Sequence, residues 1–135
     1  MTGEMIAALS QNTLLKASVD LEKSNAVDEY VFKGYEYCSE NGINMALFKV
    51  RVLDTIFKCS KDEIYSFFMG VVLCDEIKKI LKADSDNIVI GGNNRIKEIM
   101  GKILKKYSEK NVIVLREEEV LKSTSIGAVK IYNAK

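Results

Sequence analysis

Histidine and proline are both absent from these 135 residues. Without histidine there can be no Cys/His zinc site, no Ser-His or Cys-His nucleophile pair and no histidine general base. Acid–base chemistry would have to come from Asp, Glu, Lys, Tyr or Cys. Without proline, no cis-proline turn can shape a site. Cysteine is scarce. Cys38, Cys59 and Cys74 are an odd number with no paired spacing, so they read as reduced, mostly buried thiols without a redox or metal motif. An excess of one charge is also missing. Lys plus Arg is 20 and Asp plus Glu is 19, a net charge of +1, which argues against a nucleic-acid partner and against a charged tail. No apolar run is long enough to span a bilayer, and no basic region precedes an apolar stretch near the start. A membrane span and a secretory leader are therefore not expected, and the cytoplasm is the default location.

The length suits one domain, residues 1–135, or one lobe of something larger. Hydrophobic residues make up 47% and charged residues 29%, enough for a core and ordinary for a soluble protein. No internal repeat, low-complexity segment or linker stands out. Thr2 can cap a first helix through Met5, Ile6 and Leu9. Residues 11–25 read as an irregular connection with a short turn near Leu14. Helical spacing of Val27, Tyr30, Val31, Tyr35 and Cys38 predicts a helix over 26–40, with Gly42 as its stop signal. A further helix is predicted over 43–58. Ser60-Lys61-Asp62-Glu63 reads as a capping box ahead of the segment 64–81. That segment is apolar on nearly all sides through Phe67, Phe68, Val71, Val72 and Leu73, so it should run through the middle of a domain.

The second half changes character. Strands are predicted at 88–90 and 112–115, with helices at 96–107 and 117–132. Strand–helix–strand–helix at this spacing is a parallel unit. Two parallel strands do not make a stable open sheet alone, so further strands would come from irregular segments or from another chain. The stretch Asn87-Ile88-Val89-Ile90-Gly91-Gly92-Asn93-Asn94-Arg95 is the most informative in the chain. An apolar strand stops at a Gly-Gly pair and opens into a helix. Glycines let backbone lie close to a ligand, and the helix start offers free N–H groups and partial positive charge. α/β proteins place nucleotides at such carboxyl ends of strands. The stretch is neither a Walker A loop nor the dinucleotide fingerprint.

A series of segments, in order, resembles one family. It begins with Met1-Thr2-Gly3-Glu4-Met5, Asn12-Thr13-Leu14-Leu15 and Leu47-Phe48-Lys49-Val50-Arg51. Ser66-Phe67-Phe68-Met69-Gly70-Val71-Val72-Leu73-Cys74-Asp75-Glu76 follows. The Ile90-Gly91-Gly92 turn and Ser125-Ile126-Gly127-Ala128 complete it. The series is similar to the C-terminal half of 2-dehydro-3-deoxygalactonokinases over essentially the whole chain. The resemblance implies an α/β fold: the second lobe of the sugar kinase, heat-shock protein and actin-like ATPase fold (ribonuclease H-like), helix-rich with a small sheet containing parallel strands. It also implies an enzyme class, a sugar-acid kinase. Such a kinase transfers the γ-phosphoryl of ATP, with Mg2+, to the terminal hydroxyl of a 2-keto-3-deoxy sugar acid, a reaction that rests on positioning and charge stabilisation. Family members are longer, and their phosphate loops precede the Thr-Gly-Glu segment, so metal ligands are expected outside this chain and none within it. The chain alone is expected to lack kinase activity. Cys74 departs from the family's usual glycine.

The resemblance implies site residues by position. Gly91, Gly92, Asn93 and Glu76 fall on the nucleotide-binding positions; Thr2, Glu4 and Arg51 fall where the sugar acid and phosphate would lie. Each has a plainer reading beside it. Asn93 and Asn94 can cap the following helix. Glu76 can pair with Lys78 or Lys79. Arg51 suits an internal ion pair better than a substrate carboxylate, and Thr2 suits a helix N-cap. Gly127 reads as a packing position in the last helix, ahead of the alternative that it lets backbone approach the adenosine pocket. Lys78, Lys79, Lys82, Lys105 and Lys106 read as solvated helix ends. The expected partners are ATP or ADP, and the sugar acid once the missing lobe is supplied. The alternative is a stand-alone interaction module that forms a homodimer through an exposed lobe face.

Overall fold

The computed structural model describes residues 2–92 and 94–133. They divide into two compact units, residues 1–83 and 84–135. The first unit is helical. α1 spans Thr2–Asn12, followed by a single 3-10 turn, Leu14–Ala17, capped by the Thr13 hydroxyl. α2 spans Asp28–Asn41, α3 spans Ile43–Thr55 and α4 spans Lys61–Lys82. The second unit holds β1 (Asn87–Ile90), α5 (Asn94–Tyr107), β2 (Asn111–Val114) and α6 (Glu117–Asn133). The fold is therefore helix-rich α/β with one small sheet, as the sequence indicates.

α4 organises the first unit. Its expected capping box is formed: the Glu63 N–H donates to Ser60 Oγ at 3.3 Å, and the Ser60 N–H donates to Glu63 Oε2 at 2.7 Å. Its central residues from Ile64 to Cys74 are all buried, because the sequence gives the helix no polar face there. α2 crosses it so closely that two helical glycines meet the opposing backbone. A Cβ on Gly34 would stand 2.1 Å from the Phe67 carbonyl oxygen, and one on Gly70 would stand 2.1 Å from that of Val31. Glycine is required at both positions for this approach.

Several boundaries differ from the sequence reading. Thr2 lies inside α1, and its hydroxyl bonds Glu76 instead of capping the helix. The 11–25 connection is partly helical, since α1 continues to Asn12 and the 3-10 turn follows. α2 starts at Asp28 because the Val27 N–H is taken by Ser66 Oγ at 2.7 Å, which holds Val27 extended. α3 stops at Thr55, short of the expected Lys58. Longer backbone bonds close its end, from Phe57 N to Val52 O and from Cys59 N to Leu53 O, and Lys58 adopts a left-handed φ of 54°.

In the second unit β1 and β2 pair in parallel, Ile88 opposite Val112 and Ile90 opposite Val114. α5 packs on this face. Its buried residues Ile99, Met100, Ile103 and Leu104 recur at helical spacing. A Cβ on Gly101 would come within 2.6 Å of Val114 Cγ2, so the contact is tight. The other face, carrying the opposed pair Val89 and Ile113, stays exposed. Gly127 corrects an expectation: among the described residues nothing lies within 4 Å of a Cβ there, so no close packing requires glycine at this position. No helix among the described residues is long and apolar enough to cross a membrane.

Candidate functional site

The Gly-Gly turn sits at the carboxyl end of the sheet. The ladder runs one step past β1, with the Leu115 N–H donating to the Ile90 carbonyl at 2.9 Å. Gly92 then takes φ 117°, which side-chain-bearing residues rarely adopt. Nothing lies within 4 Å of where its Cβ would stand, so this backbone presents an open surface. Gly91 is less constrained: a Cβ would make ordinary contacts with Leu115 and Val120. Asn93 lies outside the described residues. α5 starts at Asn94, so its first N–H groups point to the same end.

A cleft of about 410 Å³ opens here, lined by Gly92, Asn94, Arg95, Glu117, Val120 and Leu121. The amide of Asn94 and the carboxylate of Glu117 meet at 3.4 Å and join the starts of α5 and α6. Behind them Lys97 is 5% exposed, and its ammonium donates to the Leu115 carbonyl at 2.7 Å. This bond ties α5 to the chain just past β2. At the start of α6 the Arg116 guanidinium and backbone N–H hold Glu119 below its ordinary carboxylate value. The cleft therefore offers backbone donors, an arginine, one carboxylate and an apolar wall. Of these, Gly92 alone was among the expected site residues. Lys97 was overlooked because lysine reads as solvated, although it shares a helical face with Met100, Gly101 and Leu104. Glu117 was overlooked because Asn94 lies far from it in sequence.

The remaining candidates lie in the first unit. Thr2 and Glu76 come together: the hydroxyl donates to Glu76 Oε2 at 2.5 Å. Lys78 bonds the Ser39 carbonyl instead, at 3.0 Å. Glu4 is exposed in the first turn of α1. Arg51 is placed in an internal network and not against Thr2 or Glu76. Its Nη1 donates to Ser18 Oγ at 2.9 Å and to Asp54 Oδ2 at 3.3 Å. The Ser18 hydroxyl donates to the same carboxylate at 2.8 Å, and Lys61 reaches Asp54, Ala17 and Ser18. The Ser18 bond, with Lys61 and Arg51 nearby, holds the Asp54 carboxyl below its ordinary value. The network clamps the 3-10 turn to α3 and α4. Cys38 and Cys74 are buried, and burial pushes the Cys38 thiol up to about 12. Among the described residues no three Cys, Asp or Glu side chains gather into a metal site.

A strand ending in a glycine turn against a helix start defines an α/β protein with a cleft at the carboxyl edge of a small parallel sheet. A profile of the 2-keto-3-deoxy-galactonokinase family matches residues 1–124. The chain belongs to this kinase family. Neither a search of curated proteins nor one of solved structures finds a match.

Proposed function

We propose that the chain supplies the nucleotide-holding part of an ATP-dependent kinase that phosphorylates the terminal hydroxyl of a 2-keto-3-deoxy sugar acid. On this reading it forms the adenosine-binding lobe of an actin-like ATPase fold and works in the cytoplasm. The observation that carries the reading is the cleft at Gly92. Its volume of about 410 Å³ falls within the range of small-molecule sites. Val120 and Leu121 would face the base, Glu117 would accept from a ribose hydroxyl, and the open backbone at Gly92 would approach a phosphate. Thr2, Glu4 and Glu76 would supply hydroxyl and carboxylate groups for polyol or ribose contacts. Arg51 would support that unit through Asp54. Catalysis on this reading is positioning and charge stabilisation.

Magnesium travels with ATP in such reactions and neutralises phosphate charge. The cleft brings one carboxylate, Glu117, and no cluster elsewhere among the described residues supplies more. The donor set does not fit a metal site, so no step here runs through a metal.

Thermal unfolding with and without excess ADP tests the proposal. Ligand at about 100 times its dissociation constant adds roughly 2.7 kcal/mol of stability. A rise of several degrees that Gly92→Ala abolishes supports nucleotide binding at the turn. An unchanged midpoint at millimolar ADP counts against it. A second reading, a stand-alone homodimerisation module, is favoured by one observation. Val89 and Ile113 leave one sheet face apolar, and Leu121, Ile126 and Val129 of α6 are exposed too. Sedimentation equilibrium separates the two: a tight dimer indifferent to nucleotide would favour the module.

A further inference from the structure

The first unit contains a groove that the kinase reading does not use. It has a volume of about 430 Å³ and opens between α2, α3 and the turn after α3. Its walls are aromatic: Tyr30, Tyr37, Phe57 and Phe67. The rings of Tyr37 and Phe67 stand 6.0 Å apart and tilted by 53°, a favourable edge-to-face type of contact. Phe57 remains 60% exposed at the lip. It sits beside Lys58, whose left-handed φ of 54° is unusual for a side-chain-bearing residue.

Lys49 gives the groove its charge preference. Its ammonium lies 4.8 Å from the centroid of Phe57 and 5.9 Å from that of Tyr37. Among the described residues it has ring partners and no carboxylate partner. Lys33, also in the groove lining, is instead bonded to Glu29 at 2.6 Å. The electron-rich faces that would attract a cationic ligand are thus already taken by Lys49. Lys49 sets a positive charge beside a flat apolar surface. Glu36 and Glu40 lie on the α2 side of the groove and are exposed to water.

We propose that this groove is a second small-molecule site, which takes a flat aromatic ring bearing a carboxylate. The ring lies against Tyr37, Phe57 and Phe67, and the carboxylate accepts from Lys49 Nζ. The volume suits a ligand of one or two rings. A hydrogen bond between two charged groups is shorter and stronger than a neutral one, so the carboxylate sets the preference.

The test is an NMR titration of the full 15N-labelled chain with 3-phenylpropionate, 3-phenyl-1-propanol and 2-phenylethylamine. The expected result is saturable shifts for 3-phenylpropionate, centred on Tyr37, Lys49, Phe57 and Phe67. The alcohol should bind about tenfold more weakly, the worth of one charge-assisted bond at a partly exposed site. The amine should bind no better than the alcohol. Lys49→Met, with its other resonances unmoved, should bring 3-phenylpropionate down to the alcohol's level; Lys49→Gln serves if the Met variant does not fold. The proposal is overturned if 3-phenylpropionate gives no saturable shifts, or if they centre elsewhere. It is equally overturned if the amine binds as well as the acid, or if the Lys49 variants bind the acid unchanged. None of these outcomes depends on whether the Gly92 cleft binds a nucleotide.

Discussion

Gly70→Ala puts a methyl group where α2 crosses α4. The new carbon would stand 2.1 Å from the Val31 carbonyl oxygen, 2.8 Å from the Tyr35 nitrogen and 3.1 Å from the Val31 carbonyl carbon. Carbon–oxygen contacts settle near 3.3 Å, so the helices would have to part by about 1 Å. The obstacles are backbone atoms, which cannot rotate away as a side-chain end can. Adding a methylene to a packed core typically costs about 1–3 kcal/mol, and a backbone obstacle belongs at the upper end. Alanine in a helix interior returns roughly 1 kcal/mol through its better propensity. The net expectation is a loss of about 2 kcal/mol, a midpoint lower by roughly 8–15 °C for a unit of this size. Circular dichroism against temperature and urea measures it. Gly127→Ala is the control, since among the described residues nothing lies within 4 Å of its Cβ. There the propensity term stands alone, and the midpoint should hold or rise. A Gly70→Ala protein within about 0.5 kcal/mol of the parent would refute the close-crossing argument, because so small a change is typical of surface sites.

Other expectations follow from the same contacts. Gly92→Ala forces a side chain into φ 117° and should cost about 1–3 kcal/mol, with any ADP-induced midpoint rise lost; equal stability and an equal rise would show that the turn tolerates a side chain. Lys97→Met keeps the buried stem but leaves the Leu115 carbonyl unpaired, so about 1–3 kcal/mol should be lost, read by hydrogen exchange at β2 and α5. The Asp54 carboxyl is held below its ordinary value of 3.8 in the fold, chiefly by the Ser18 hydrogen bond. The stability it contributes is therefore complete above that value and fades as pH falls through the lower folded one. Asp54→Asn should accordingly destabilise at pH 7 and converge with the parent in strong acid. A difference that stays constant with pH would mean that Asp54 acts through shape and not charge.

The parts of the fold that were legible in the sequence carry their signal locally. The capping box at Ser60 and the all-round apolar run behind it marked α4 and its burial. Short β-rich apolar runs at Ile88–Ile90 and Val112–Leu115, the first stopped by Gly91-Gly92, marked the parallel pair and the turn between strand and helix. Segment order from Thr2 to Gly127 carried the family. Gly127 was misread because a glycine late in a helix gives no local sign of whether anything packs against it.

What the sequence determined by itself was which segments must be buried, where α4 begins and which family the order of segments belongs to. Those signals rest on periodicity and on caps within a few residues. The tertiary structure alone decided that Gly34 and Gly70 face each other's helices and that Thr2 meets Glu76. It also decided that Arg51, Ser18, Asp54 and Lys61 share one network, and that Lys97 closes the carboxyl edge of the sheet. Each of these joins residues on different elements, and a polar side chain shows its partner only when packing removes water and requires its hydrogen bonds to be met.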